Sequence, residues 1–241
     1  MPKYVYDFTE GNRDQKDLLG GKGANLAEMT NMGIPVPPGF TVTTEACKHY
    51  LHHGSAPDEL DEQVTVALKQ IEEKTGKGFG DPSNPLLLSV RSGAKFSMPG
   101  MMDTVLDIGL NETTMAGLLE LSGNERFVWD SYRRLVHMFG DTVLGVDGEL
   151  FEAVMDEEKA AKGSTSDLAL DADDLKRITA RFKDIVAEQT GQPFPDDPRT
   201  QVDLAIKAVF DSWNTDRAIL YRRQERIPSD LGTAVNVQTM V

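Results

Sequence analysis

Leu86-Leu87-Leu88-Ser89-Val90-Arg91-Ser92-Gly93-Ala94-Lys95-Phe96-Ser97-Met98-Pro99-Gly100-Met101-Met102-Asp103-Thr104 is the stretch on which the reading of this chain turns. It opens as a short apolar run with Pro85 in front and Gly93 behind, so the run reads as a buried strand and not as a piece of helix. Arg91 then falls where the strand leaves the sheet, and ligands of open α/β sheets gather at the carboxyl ends of strands. A guanidinium grips phosphate at two points through its planar fork. The loop that follows has small residues where a ligand can lie against the backbone, and Gly100 is free to take a positive φ. The stretch is expected to form one wall of a nucleotide polyphosphate site.

The 241 residues allow one large domain or two small ones, and 39% hydrophobic with 27% charged residues fits a soluble globular protein. A formal net charge of -14 argues against nucleic-acid binding, which would need a basic face. It also means that a polyanion has to be held by a locally positive pocket against an adverse global field. No apolar run approaches a membrane span, and Met1–Asp7 lacks the apolar segment of a signal peptide. A cytoplasmic protein without membrane contact is the simplest reading. The single cysteine, Cys47, leaves neither an intrachain disulfide nor a thiolate zinc cluster and reads as a small packed residue.

Lys3 to Phe8 reads as a first strand. In Asp17-Leu18-Leu19-Gly20-Gly21-Lys22-Gly23-Ala24-Asn25-Leu26-Ala27-Glu28-Met29, a helix is expected to begin near the glycine cluster and to stop at Gly33. Lys22 then stands in the first turn, where the helix dipole is already positive. Two readings stay open: an anion shared by the lysine and the backbone N–H groups, or a solvated lysine in a glycine turn. The loop is not a Walker A loop, because Lys16 stands six residues before Lys22 and Gly23 follows it. Phe40-Thr41-Val42 reads as a short strand, and Thr43 or Thr44 as the cap of a helix reaching Gly54. His49, His52 and His53 sit at helical spacing near its end; no acid completes a metal site, and the dipole favours histidines there. Ser55 and Asp58 read as a capping box ahead of a helix with Leu60, Val64, Ala67, Leu68 and Ile71 on one face. Gly76 to Pro85 reads as a loop, and Val105 to Ile108 as a strand.

From Asn111 to about Gly191 the pattern is helical. Val128, Tyr132, Leu135, Val136 and Phe139 mark one apolar face, and Leu175, Ile178, Phe182, Ile185 and Val186 another, with Asp171 as a cap. Met155 lies in a shorter helix between them. Asp156-Glu157-Glu158 and Asp171-Ala172-Asp173-Asp174 read as solvated helix starts. A further helix carries Val202, Ile206, Val209, Phe210 and Trp213 inward. Arg217, Arg222, Arg223 and Arg226 cluster after it, either as cations decorating a helix C-terminus or as a docking surface for a phosphate-bearing partner. Thr233 to Val241 alternates like a half-buried strand, and a bare edge of that kind is seldom left in a natural protein. A truncated chain is therefore expected.

Three motifs then point to a family. Gly20-Gly21-Lys22-Gly23-Ala24-Asn25-Leu26-Ala27-Glu28-Met29, Ile34-Pro35-Val36-Pro37-Pro38-Gly39-Phe40 and Ser89-Val90-Arg91-Ser92-Gly93 resemble the nucleotide-binding domain of the dikinases that make phosphoenolpyruvate. Ser97-Met98-Pro99-Gly100-Met101-Met102-Asp103-Thr104 is similar to the pyruvate, phosphate dikinase family and less so to phosphoenolpyruvate synthase. Tyr132-Arg133-Arg134, Phe139-Gly140-Asp141 and Gly232-Thr233-Ala234-Val235-Asn236-Val237-Gln238 agree with it, so the resemblance covers essentially the whole chain.

The helical pattern reads as a subdomain at 111–197 inserted into an α/β lobe that spans 1–110 with 198–241, an α+β fold, and the resemblance implies an incomplete ATP-grasp-type nucleotide-binding domain. It implies transfer of the β,γ-pyrophosphoryl group of ATP to a histidine on a carrier domain. Phosphate then removes the terminal phosphoryl group as pyrophosphate, and the remaining phosphohistidine phosphorylates pyruvate at a distant barrel domain. Lys22 and Arg91 are expected to be catalytic and, with Ser97, Met98, Gly100 and Met101, to bind the ATP phosphates. Mg2+ is expected with ATP through carboxylates outside this chain, as are the carrier histidine and the pyruvate site. His49, His52, His53 and His137 match no phosphohistidine motif, the fragment alone is expected to be inactive, and the full-length enzyme is expected to be a homodimer. The rival readings are a phosphoenolpyruvate synthase-like dikinase fragment and a non-catalytic partner-binding module.

Overall fold

A computed structural model describes residues 1–98, 100 and 104–241. The chain divides into two compact units. The first comprises Met1–Lys77, Leu88–Thr104 and Ala205–Val241, and the second Gly78–Leu87 and Val105–Leu204. Five strands and nine α-helices of 9 to 19 residues are arranged as an α+β fold among the described residues. No helix among them is long and apolar enough to cross a membrane.

The first unit contains β1 (Val5–Asp7), α1 (Lys16–Asn31), β2 (Gly39–Val42), α2 (Thr44–His53), α3 (Leu60–Thr75), β3 (Leu88–Gly93), α9 (Asp216–Gln224) and β5 (Ala234–Thr239). Its strands lie in the order β1-β2-β5-β3, and each of these pairings is antiparallel. The last strand is thus not a bare edge. β5 pairs with β2 on one side and β3 on the other, and all six of its residues are buried. Its polar residues mimic half-burial in the sequence, but Asn236 and Gln238 lie inside. The strand around Arg91 is also longer than the apolar run. Arg91, Ser92 and Gly93 continue pairing with Asn236, Val235 and Ala234, so Arg91 sits within β3 and not where it leaves the sheet.

The helices of this unit follow their local chemistry with one exception. Thr43 caps α2 by accepting the Ala46 N–H, and Gly54 closes it in the left-handed region (φ 74). In α3 the apolar stripe Leu60, Val64, Ala67, Leu68 and Ile71 is buried. No capping box forms ahead of it: the helix starts at Leu60, Glu59 at its N-cap makes no side-chain bond, and the Leu60 N–H goes to the Pro57 carbonyl. The buried Pro57 turn takes over the task that Ser55 and Asp58 seemed suited to.

The second unit carries β4 (Thr104–Ile108, from Val105), α4 (Thr114–Ser122), α5 (Glu125–Thr142), α6 (Gly148–Ala161), α7 (Ala172–Thr190) and the first part of α8 (Pro198–Ser212). Asn124 caps α5, and Asp171 and Asp174 close a reciprocal capping box on α7. Phe182 of α7 meets Phe151 of α6 edge-to-face with centroids 4.9 Å apart, and Phe139 of α5 is edge-on to Phe194, all four buried. Asp156-Glu157-Glu158 proves to lie in the last turns of α6, not at a helix start. Glu157 and Glu158 pair with Arg181 and Arg177 of α7. Asp174 is buried, so that acidic run is only partly solvated.

One backbone position in α1 is pinned from two directions. Gly20 has φ 67 and ψ 174 inside the helix, a region that is essentially glycine-only, and a Cβ there would overlap the Gly93 carbonyl oxygen of β3. Gly33 has φ 76 but open space around its would-be Cβ. Gly20→Ala is therefore expected to lower stability by about 3 kcal/mol or more, through strain plus overlap. Gly33→Ala should cost only about 1 kcal/mol. Urea unfolding of the two variants checks this, and equal losses would contradict it.

Candidate functional site

Because Gly20 breaks the helical run, α1 has a second start at Gly21. The Gly21 N–H is bound to the Ala94 carbonyl at 3.0 Å. The first-turn N–H groups that follow lack carbonyls a turn earlier and make this the positive end of the dipole. Lys22 stands in that turn. Its Nζ donates to the Ser92 carbonyl at 3.0 Å, which draws the ammonium across the end of β3. Gly93 lets α1 come this close: a Cβ on it would lie 3.4 Å from Lys22 Cβ and against the Asn236 amide.

Between α1 and the segment after β3 lies a cleft of ≈ 490 Å3. Lys22, Ser97, Met98 and Gly100, four of the six residues expected to handle phosphate, line it. Ser97 and Gly100 are exposed, and Gly100 has φ 66. Met98 is buried and packs with Ala94, Trp213 and Ala218. Met101, and with it Pro99, Met102 and Asp103 of the segment after β3, lies outside the described residues. Arg91 is half-buried in β3, and its Nε is buried with no hydrogen-bond partner. The Lys22 ammonium is held below its ordinary pKa, first by burial and second by the positive charge of Arg91.

The sequence reading passed over three residues that line the same cleft. Lys16 and Asn25 come from α1 and Lys95 from the loop after β3. Asn25 is three residues from Lys22, one helical turn along the same face. Lys95 is paired with Asp17. With Lys22 they give the cleft three lysines and, among the described residues, no carboxylate in its lining, in a chain of net charge -14.

Elsewhere the candidates separate. Arg222 is buried, its guanidinium 4.2 Å from the Trp213 ring centroid and bonded to the Trp213 carbonyl, while Arg217, Arg223 and Arg226 are exposed. The four arginines therefore do not share one surface, because α9 turns Arg222 inward. The His49 and His53 rings lie 4.4 Å apart, and among the described residues no three His, Cys, Asp or Glu side chains gather as a metal site. His137 packs against Phe151 and Phe182.

Sheet, glycine-built helix start and lysine-lined cleft together define an α+β domain with a cationic site open to anions. A profile of the pyruvate phosphate dikinase AMP/ATP-binding domain matches residues 16–65 and 52–241. The chain belongs to this family. It is 52% identical over 246 residues to a pyruvate, phosphate dikinase of Rhizobium meliloti (strain 1021), covering 100% of this chain and 27% of that protein. Against a pyruvate, phosphate dikinase of Clostridium symbiosum it is 52% identical over 243 residues, covering 100% of this chain and 28% of the relative. Against the chloroplastic pyruvate, phosphate dikinase 1 of Oryza sativa subsp. japonica it is 54% identical over 244 residues, covering 99% and 26%. The chain thus spans about a quarter of the length of the curated relatives it matches.

The depressed Lys22 pKa has a defined sign. The folded state holds this proton less tightly than the unfolded state, whose lysine has the ordinary value of 10.5. The resulting cost is fully present at neutral pH and is relieved as pH rises through the folded pKa towards 10.5. Arg91→Ala is expected to raise the Lys22 pKa part of the way back, leaving the contribution of burial. Titration of the Lys22 side-chain Cε by NMR measures it, and an unchanged pKa would contradict electrostatic coupling between the two cations.

Proposed function

We propose that this chain is the ATP-binding portion of a pyruvate, phosphate dikinase, which converts ATP, pyruvate and phosphate to AMP, phosphoenolpyruvate and pyrophosphate. The observation that carries the reading is the cleft beside Lys22, lined by Lys16, Lys22 and Lys95 with no carboxylate among its described residues, in a chain of net charge -14; Arg91 of the adjoining strand lies near enough for its charge to lower the Lys22 pKa further. In this reading the fold is an incomplete ATP-grasp type. Residues 1–110 with 198–241 form its α/β lobe and 111–197 an inserted helical part. The carrier histidine, the pyruvate-binding barrel domain and the second subunit of a homodimer lie outside the chain, and the protein works in the cytoplasm.

Phosphoryl transfer asks a protein for positioning and charge stabilisation more than for covalent help. Lys22 and Arg91 supply the charge. They hold the β- and γ-phosphate oxygens and stabilise the negative charge that spreads over them as the pyrophosphoryl group leaves the α-phosphate. Binding the anion relieves the like-charge repulsion and returns the Lys22 ammonium towards its ordinary affinity for its proton. The exposed Ser97 and Gly100 offer a hydroxyl and backbone to the phosphates. Met98, packed against Trp213, anchors that segment to the body of the unit. Dikinases of this kind use Mg2+ with ATP. Among the described residues the cleft lining provides no carboxylate, so these side chains do not fit the ion, and the roles given above belong to the protein cations alone.

In a full-length dikinase carrying this chain, Lys22→Ala or Arg91→Ala is expected to slow pyrophosphorylation of the carrier histidine by about 10²-fold or more. Transfer from phosphohistidine to pyruvate should keep its rate. Rapid-quench measurement of the two half-reactions checks this, and an equal loss in both would contradict the assignment.

A further inference from the structure

One cross-strand row crosses the sheet beneath the start of α1. Tyr6 of β1 faces Thr41 of β2, Thr41 faces Asn236 of β5, and Asn236 faces Arg91 of β3. Asn236 is 1% exposed. Thr41 Oγ1 and Asn236 Oδ1 are 3.0 Å apart, while Asn236 Nδ2 and Arg91 Nε are both buried with no partner. Both unpartnered atoms are donors, and directly paired residues of neighbouring strands have Cβ atoms only about 5 Å apart. Leaving two buried donors unmet on adjoining strands is expensive.

The end of an asparagine side chain looks alike in its two orientations. Turned over, Asn236 presents its carbonyl oxygen towards β3 as an acceptor for the Arg91 Nε–H, and its NH2 donates to Thr41 Oγ1, which accepts equally well. One rotation of the amide keeps the Thr41 contact with its NH2 as donor and turns an acceptor towards the strand that carries Arg91. The space for that amide is reserved by glycines. A Cβ on Gly23 would come 2.7 Å from Thr41 Oγ1 and 3.0 Å from Asn236 Oδ1, and one on Gly93 would meet the Asn236 amide nitrogen.

We propose that Asn236 is a positioning residue of the phosphate site: its amide oxygen takes the Arg91 Nε–H and so turns both Nη groups towards the anion shared with Lys22. The inference rests on reading Arg91 as a phosphate ligand. It adds that the guanidinium is oriented by a neutral partner. A carboxylate in this place would hold Nε equally well but cancel the charge the phosphate needs; an amide holds it and leaves the charge intact.

The test reads the contact and its consequence separately, in the chain itself. First, hydrogen exchange of the Arg91 Nε–H, assigned by its loss in Arg91→Lys, is followed by NMR without nucleotide. It should be slow in the wild type, fast in Asn236→Leu and slow in Asn236→Asp, whose carboxylate still accepts. Second, ATP and AMP affinities are measured by calorimetry. Both Asn236 variants should weaken ATP by about tenfold or more, the one by releasing the guanidinium and the other by neutralising it, with AMP changed much less. Fast exchange in the wild type or in Asn236→Asp overturns the contact, and the aspartate arm decides the matter if the leucine variant does not fold. Altered exchange with unchanged ATP affinity overturns the positioning role. If Arg91→Ala binds ATP as the wild type does, the reading of the site fails instead, and the exchange arm still judges the contact.

Discussion

Two cations that repel each other are held together by backbone geometry. Lys22 comes from the start of a helix and Arg91 from the middle of a strand 69 positions later in the chain, and the Lys22 pKa is lowered first by burial and then by the charge of Arg91. The approach depends on side chains that are absent. Gly20 passes against the Gly93 carbonyl oxygen, and Gly93 leaves room for both Lys22 and Asn236. With a Cβ at any of these points the helix start would ride off the strand, and Nζ of Lys22 would lose the Ser92 carbonyl.

The sheet serves this junction more than it serves its own edges. β5 lies between β2 and β3, so the row Thr41, Asn236, Arg91 runs through buried backbone and is fixed by ladder pairing on both sides. A polar row in such a place is high-stakes: satisfied, it rigidifies the site, and unsatisfied, it costs stability. The second unit carries its own buried aromatic pairs, Phe151 with Phe182 and Phe139 with Phe194, with ion pairs linking α6 to α7. Its Tyr132 and Arg133 are buried and bonded to Asp196 and Asp130, which accounts for that Tyr-Arg-Arg motif by packing.

Much of this was legible in the sequence because the signals were local. The stripes of α3, α5 and α7, the Thr43 and Asp171 caps and the glycine at the second start of α1 each follow from spacing and residue type. The reading failed where a distant partner decided. Thr233 to Val241 looked like an exposed edge because Asn236 and Gln238 are polar, yet strands far away in sequence bury both. Arg222 looked like one of four surface cations until Trp213 took it inside. Ser55 and Asp58 had the spacing of a capping box, and the Pro57 turn used the position first. In the cleft, Lys22 and Arg91 stood out by residue type. Asn25 carried only the weaker signal of helical periodicity and Lys95 that of the loop it shares with Ser97, while Asn236 stood out only as one residue of the Gly232–Gln238 motif, because its pairing with Arg91 depends on a strand far away in the chain.

The claim at the centre is that Lys22 and Arg91 meet on one polyphosphate. A crystal structure of the chain with a non-hydrolysable ATP analogue tests it most directly. Lys22 Nζ and an Arg91 Nη should each lie about 3 Å from phosphate oxygens of the same triphosphate. A triphosphate seated with either cation turned away from it, and water in its place, would contradict the account.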